Sequence, residues 1–261
     1  MANEHILEAR GLTREFRGFT AVDKVDLKVA RGRIHAMIGP NGAGKTTVFN
    51  LLTRFLDPTA GTILFKGEDI TRQKPAAVAR RGMVRSFQIC AVLPHLTALE
   101  NVRLGLQQAT GTSYHFWKSE RSLKALEGRA RELLAEVDLG AFGSTIAVEL
   151  PYGRKRALEL ATTLAADPEL LLLDEPTQGM GVEDIDRVAK LVKKVAANRT
   201  VLMIEHNMGV VSSIADTITV LQRGQVLAEG SYAEVSANPQ VREAYMGKRA
   251  GKKAGRLQGA H

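Results

Sequence analysis

The sequence predicts an α/β fold: a mostly parallel sheet between helices, flanked by an antiparallel β segment and interrupted by a helical insert. Three stretches predict it. The first is Gly39-Pro40-Asn41-Gly42-Ala43-Gly44-Lys45-Thr46, a glycine-rich loop between a mostly apolar run at Arg33–Ile38 and a helical run at Lys45–Phe55. The second is Glu169-Leu170-Leu171-Leu172-Leu173-Asp174-Glu175-Pro176, whose four consecutive leucines suit a parallel strand covered on both faces. The third is a change of character from about Leu93 to Ala141, where apolar residues recur at helical spacing.

The 261 residues suffice for one large α/β domain with such an insert, and 44% hydrophobic with 25% charged content is ordinary for a globular chain. No apolar run approaches the roughly 18 residues of a membrane span, and Met1-Ala2-Asn3-Glu4-His5 is not a signal peptide, so a cytoplasmic chain is expected. A single cysteine, Cys90, excludes an internal disulfide or thiolate cluster within one chain and reads as a small filler. The net charge of +8 invites a nucleic-acid reading, but five of those charges lie in the acid-free tail Gly247–His261. That tail is expected to be disordered, either simply solvated or in contact with an anionic membrane surface.

Along the chain, Ile6–Phe16 and Val25–Val29 read as antiparallel strands, the second with period-two alternation. Phe16, before the turn at Arg17-Gly18, is placed either to stack on a nucleobase or, like Phe19, to fill core. The glycine-rich loop fits G-x-x-x-x-G-K-[ST]. Its backbone N–H groups must all turn toward phosphate oxygens, which glycine permits without a Cβ clash. Lys45 then reaches the β- and γ-phosphates, the Thr46 hydroxyl sits on Mg²⁺, and the following helix offers its positive end. A bound nucleoside triphosphate is expected.

A strand at Thr62–Phe65, a helix at Pro75–Arg81 ended by Gly82, and a strand at Val84–Gln88 come next. The Gln88 amide oxygen can hold a metal or a water, though in isolation it is equally a polar strand end. In the insert, Thr97 and Glu100 have capping-box spacing for a helix to Leu106. Tyr114, Phe116 and Trp117 then form a cluster that reads as packing, before a long helix to Val137. Pro151 and Gly153 break the backbone ahead of a helix running from Arg154 or Lys155 to Ala166. At the end of the leucine strand, Asp174 is suited to the Mg²⁺ shell and Glu175 to orienting the attacking water or taking its proton. A helix at Glu183–Ala197 and a strand at Val201–Ile204 lead to Glu205-His206. His206 is either structural or, at the carboxyl sheet edge, in reach of the γ-phosphate. A hairpin (Thr217–Leu221, Gln225–Glu229) and two short helices (Tyr232–Ala237, Pro239–Met246) close the fold.

With these motifs in order, the chain resembles the ATP-binding subunits of ABC transporters from residue 4 to about 247. The match runs through Phe16 as A-loop aromatic, the phosphate loop Gly39–Thr47 and Gln88 as Q-loop glutamine. It continues through the signature Leu150–Arg154, Walker B Leu170–Glu175, D-loop Thr177–Gly181 and switch histidine His206. The resemblance implies a P-loop nucleoside triphosphatase (RecA-like) core with antiparallel β flank at 1–92 and 142–246, a helical subdomain insert at about 93–166, and a basic tail at 247–261. It implies ATP and Mg²⁺. Gly39, Pro40, Asn41, Gly42, Ala43, Gly44, Lys45, Thr46 and Thr47 would hold phosphates, and Thr46, Gln88 and Asp174 the metal. Phe16 would hold the base, and Gly153 would act in trans from a second subunit. Glu175, His206 and Lys45 would be catalytic.

Arg85-Ser86-Phe87-Gln88, Leu99-Glu100-Asn101-Val102, Ile204-Glu205-His206-Asn207-Met208 and Asn238–Gly247 look like the branched-chain amino acid importer branch, which also serves other amino acids and amides. That implies membrane permease subunits, a second ATPase subunit of the same or a related chain, and an extracytoplasmic solute-binding protein. It also implies a peripheral seat on the cytoplasmic face of the membrane, and no nucleic acid. The signature departs from the family pattern, with Pro151 in place of serine and Arg154 in place of glutamine, and the D-loop carries Met180-Gly181. Pro151 offers the γ-phosphate neither hydroxyl nor N–H, while Arg154 points either toward phosphate or into solvent. A working ATPase with weakened dimer closure is therefore expected. The rival expectations are an ABC-type ATPase acting on nucleic acid or ribosomes, and a non-hydrolytic nucleotide sensor.

Overall fold

The computed structural model describes residues 4–86, 92–109 and 120–245. Gln88, Cys90, Tyr114, Phe116, Trp117 and the basic tail lie outside the described residues. In chain order the elements are β1 (His5–Phe16), β2 (Phe19–Ala30), β3 (Ile34–Ile38), α1 (Lys45–Leu52), β4 (Ala60–Phe65), β5 (Glu68–Asp69) and α2 (Pro75–Arg80). Then come β6 (Met83–Arg85), α3 (Ala98–Ala109), α4 (Glu120–Glu136), α5 (Tyr152–Leu164), β7 (Leu170–Asp174) and α6 (Val182–Ala196). β8 (Thr200–Ile204), α7 (Met208–Ile214), β9 (Thr217–Gln222), β10 (Gln225–Gly230) and α8 (Tyr232–Ala237) complete the series. Among the described residues, no helix is long and apolar enough to cross a membrane. The elements group into two compact units, the first from residues before 73 and after 203, the second from 73–203.

The first unit contains the antiparallel sheet β2-β1-β4-β5 and the strands β10-β9-β3. Alternation decides the facing of β2: Val25, Leu27 and Val29 are buried while Asp26 and Lys28 are exposed. The pairing extends further back than alternation predicts. Arg17 and Gly18, with φ of 46° and 87°, turn the chain tightly enough to set Phe19 opposite Phe16. β3 is buried along its whole length and runs parallel to β9, and β10 returns through Arg223-Gly224 as expected. The phosphate-loop helix is shorter than predicted, ending at Leu52, because Arg54 adopts φ 64° and breaks the helical path. α7 escaped the sequence reading. Gly209, Val210, Val211 and two serines are weak helix formers, but Asn207 caps the helix by accepting from Gly209 and Val210 N–H.

Within this unit, a polar chain crosses the sheet from buried to half-exposed. Thr219 Oγ1 donates to Glu229 Oε2, so His35 Nε2 donates to Thr219 Oγ1 at 2.7 Å as a neutral ring. Burial pushes the His35 imidazole down from 6.5 to about 4. The unfolded chain therefore takes up a proton first as pH falls, and stability present above pH 6.5 is lost between 6.5 and 4. The expected loss is about 3 kcal/mol. Urea denaturation at pH 7 and pH 4.5 checks this: His35→Gln should shrink the gap between the two curves, and an unchanged gap would contradict the assignment.

The second unit packs α3, α4, α5 and α6 with one another and carries the strands β8-β7-β6. All five residues of β7 are buried, and β6 pairs with it in parallel register, Arg85 beside Leu172. The Thr97–Glu100 capping box forms in both directions: Thr97 N–H donates to Glu100 Oε2 at 2.8 Å, and Glu100 N–H to Thr97 Oγ1 at 3.2 Å. One expectation fails here. α5 begins at Tyr152, ahead of Arg154, because Pro151 serves as N-cap and its carbonyl accepts from both Arg154 and Lys155 N–H at 3.0 Å. Proline's fixed φ suits the threshold of a helix, so Gly153 lies inside the first turn and breaks nothing.

Candidate active site

The first unit holds the phosphate loop. Gly39, Gly42 and Gly44 have φ of 155°, 80° and 100°, and a Cβ on Gly39 would come within 2.3 Å of the Leu221 carbonyl oxygen. Glycine at 39 is a steric necessity imposed by β9. Ala43 N–H donates to Pro40 C=O to tighten the turn, and Gly224 N–H donates to Ala43 C=O, tying the loop to the β9–β10 hairpin. Lys45 is 8% exposed, and its ammonium donates to the carbonyls of Gly39 at 2.7 Å and Pro40 at 3.2 Å. A positive charge is thereby held against the loop backbone, while Asn41, Gly42 and Thr46 are exposed.

Phe16 is not core: it is 41% exposed. One face of its ring carries the Arg14 guanidinium, 4.6 Å from the centroid, and Arg14 also donates to the Asp57 carbonyl. His206 is exposed on the segment between β8 and α7. Its backbone is pinned by Glu205, a fully buried carboxylate that accepts from His206 N–H at 2.8 Å and Asn207 N–H at 3.0 Å.

The second unit holds the carboxylates. Asp174 ends β7, is 4% exposed, and receives Arg85 Nη2 on Oδ2 at 2.5 Å. Glu175 follows with φ 48°, a left-handed conformation that turns the chain sharply out of the strand. Gln178 N–H closes that turn on the Glu175 carbonyl at 3.1 Å. Around the signature, Gly153 is buried and a Cβ there would meet the Asp184 carboxylate at 2.6 Å. Arg154 is half-buried, and its guanidinium stacks on Phe142, 3.9 Å from the ring centroid. Tyr152 donates from its hydroxyl to the Gln178 carbonyl at 3.3 Å, joining the start of α5 to the segment after Glu175.

Residues 22–178 match the family model of the ABC transporter. The high-affinity branched-chain amino acid transport ATP-binding protein BraF of Pseudomonas aeruginosa is 41% identical over 252 residues, 93% of this chain and 98% of that protein. The chain belongs to the ABC transporter family. Residues 225–251 of this ABC protein match a second model, described as branched-chain amino acid ATP-binding cassette transporter, which places it in that branch. LivG of Escherichia coli, likewise named a high-affinity branched-chain amino acid transport ATP-binding protein, is 36% identical over 94% of this chain and 99% of its own. Among solved structures, the ADP conformation of MJ1267, an ATP-binding cassette of an ABC transporter, superposes with a TM-score of 0.83 at 31% identity, over 94% and 100% of the two chains. The ABC protein described here is an ATP hydrolase and the energy-coupling partner of a transporter.

The contacts of several residues in this ABC cassette lie beyond motif reading. Arg14 and Asp184 belong to no motif, while Arg85 and Glu205 sit inside the Arg85–Gln88 and Ile204–Met208 stretches but reveal their partners only in the fold. Tyr245 is another: burial pushes its phenol up to about 12, with the Gly39 backbone N–H acting in the opposite sense. Glu205 also carries a local signal, as a carboxylate directly after an apolar strand.

Proposed function

We propose that this cassette powers import of branched-chain or closely related amino acids, hydrolysing ATP held between two ATPase subunits. The observation that carries the reading is similarity along essentially the full length of BraF and LivG, together with the branch-specific match at 225–251. In this reading Gly39–Thr47 bind the phosphates, Phe16 stacks on the base with its free face, and Gly153 of the second subunit completes the site in trans. Glu175 orients water, and His206, with its backbone pinned by Glu205, reaches the γ-phosphate. The helical subdomain at about 93–166 relays closure to a membrane permease. The subunit sits peripherally on the cytoplasmic face, and an extracytoplasmic solute-binding protein delivers the cargo.

Mg²⁺ belongs to the same proposal. The donor chemistry supports it: Asp174 is a buried carboxylate whose surroundings already supply a cation, Arg85. Among the described residues no three His, Cys, Asp or Glu side chains gather at one point. Asp174, Thr46 and Gln88 would hold the ion, oxygen donors of the kind a hard cation takes. Its chemistry would be to neutralise negative charge developing on the phosphates.

The test is a pull-down of the tagged protein from detergent-solubilised membranes of its source, followed by reconstitution of what co-purifies. Recovery of a multi-spanning permease, with ATP turnover stimulated by leucine, isoleucine or valine and a binding protein, is expected. Ribosomal or nucleic-acid partners without a membrane protein would overturn the reading.

A further inference from the structure

Asp174 and Arg85 lie 89 residues apart in sequence. The fold joins them through β6 and β7, where Ser86 N–H donates to the Leu172 carbonyl and sets Arg85 alongside Leu172. Leu172 and Asp174 share a strand face, so the Arg85 side chain reaches the carboxylate one step further along. The side chains are 10% and 2% exposed. A second buried pair, Arg156–Glu159 at 2.8 Å, stands on α5. Ser86, Asp174, Arg156 and Glu159 line one cavity of about 30 Å³, room for a water molecule. At Asp174 itself, the buried carboxylate is matched by the Arg85 guanidinium.

A divalent cation arriving at Asp174 changes that balance. It adds two positive charges next to a guanidinium in a poorly solvated place, where like charges repel strongly. Without the guanidinium, Asp174 would be a buried carboxylate with its compensating charge removed, which is unfavourable until a metal supplies another. Arg85 and Mg²⁺ therefore answer the same need.

We infer that Arg85 is a positioning residue that serves as the resident counter-ion of Asp174 and competes with Mg²⁺ for it, setting the Mg²⁺ concentration at which nucleotide is gripped. The inference rests on the proposed reading of Asp174 as a metal-side carboxylate. It assigns Arg85 two effects. It keeps the Asp174 carboxylate aimed before nucleotide arrives, and it raises the metal threshold so that the site responds to the magnesium–nucleotide complex in preference to either component.

The experiment uses the full chain and a fluorescent ADP, which removes turnover from the readout. Binding and thermal unfolding are followed across a Mg²⁺ titration for the wild type, Arg85→Met, Arg85→Lys and Asp174→Asn. Arg85→Met should unfold at lower temperature in EDTA, recover with Mg²⁺, and reach half-saturation at roughly tenfold less Mg²⁺. Arg85→Lys, which keeps a charge but loses the planar fork, should fall between the two and covers the case in which the methionine variant does not fold. An Arg85 variant whose Mg²⁺ midpoint is unchanged or raised would overturn the competition. Asp174→Asn should lose the Mg²⁺ enhancement of ADP binding. If it keeps the wild-type midpoint, the reading of Asp174 fails and the inference falls with it, an outcome distinct from an unchanged midpoint in the Arg85 variants alone.

Discussion

Glu175→Gln is expected to bind ATP as the wild type does and to lose turnover by a factor on the order of 10²–10⁴, the usual contribution of a positioned general base. The substitution preserves shape and removes the negative charge. The turn that presents the side chain depends on backbone contacts, notably the closure of Gln178 N–H on the Glu175 carbonyl, so the amide variant keeps the geometry. Phosphate release measured beside fluorescent-nucleotide affinity separates the two functions. Turnover at the wild-type rate would place the base elsewhere, and a parallel loss of affinity would mean that Glu175 supports the fold of the site as well as its chemistry.

Lys45→Ala is expected to weaken ATP binding by about 10- to 100-fold, the range of one or two charge-assisted hydrogen bonds, and to abolish measurable hydrolysis. The ammonium is buried against the Gly39 and Pro40 carbonyls, so no water molecule readily replaces its charge inside the loop. Because the side chain is assigned to the β- and γ-phosphates, ATP affinity should suffer more than ADP affinity. Equal losses for the two nucleotides would show that Lys45 shapes the loop without reaching the terminal phosphate. Lys45→Arg is not a conservative rescue, since a planar guanidinium fork differs in shape and hydrogen-bond geometry from the ammonium that donates to those two carbonyls.

What could be read from the sequence follows the range of the forces involved. The phosphate loop, the all-leucine strand and the Thr97–Glu100 cap are local: residue type within eight positions dictates the backbone, and each stands where expected. α5 starts ahead of the sequence expectation because Pro151 and Gly153 both read locally as breakers, whereas Pro151 at the N-cap begins the helix. α7 was missed because burial of Val210 and Val211 and a single asparagine cap outweigh poor propensity. At the site, Asp174 and Glu175 were legible as two carboxylates closing an apolar strand. Arg85 was not, because nothing local marks a partner that strand order alone brings near. The stacking of Arg154 on the Phe142 ring has no local sequence signal either.

The backbone of Glu175 carries a last consequence. A glutamate at φ 48° sits where asparagine or glycine would rest more easily, at a cost on the order of 1 kcal/mol. On the role proposed for Glu175, a mutant library sorted for heat resistance alone would drift at this position toward those smaller residues and lose turnover as it gained durability. A library selected for growth on an imported nutrient would hold the glutamate and tolerate the discomfort. Position 175 is thus where selection for lasting and selection for working part company.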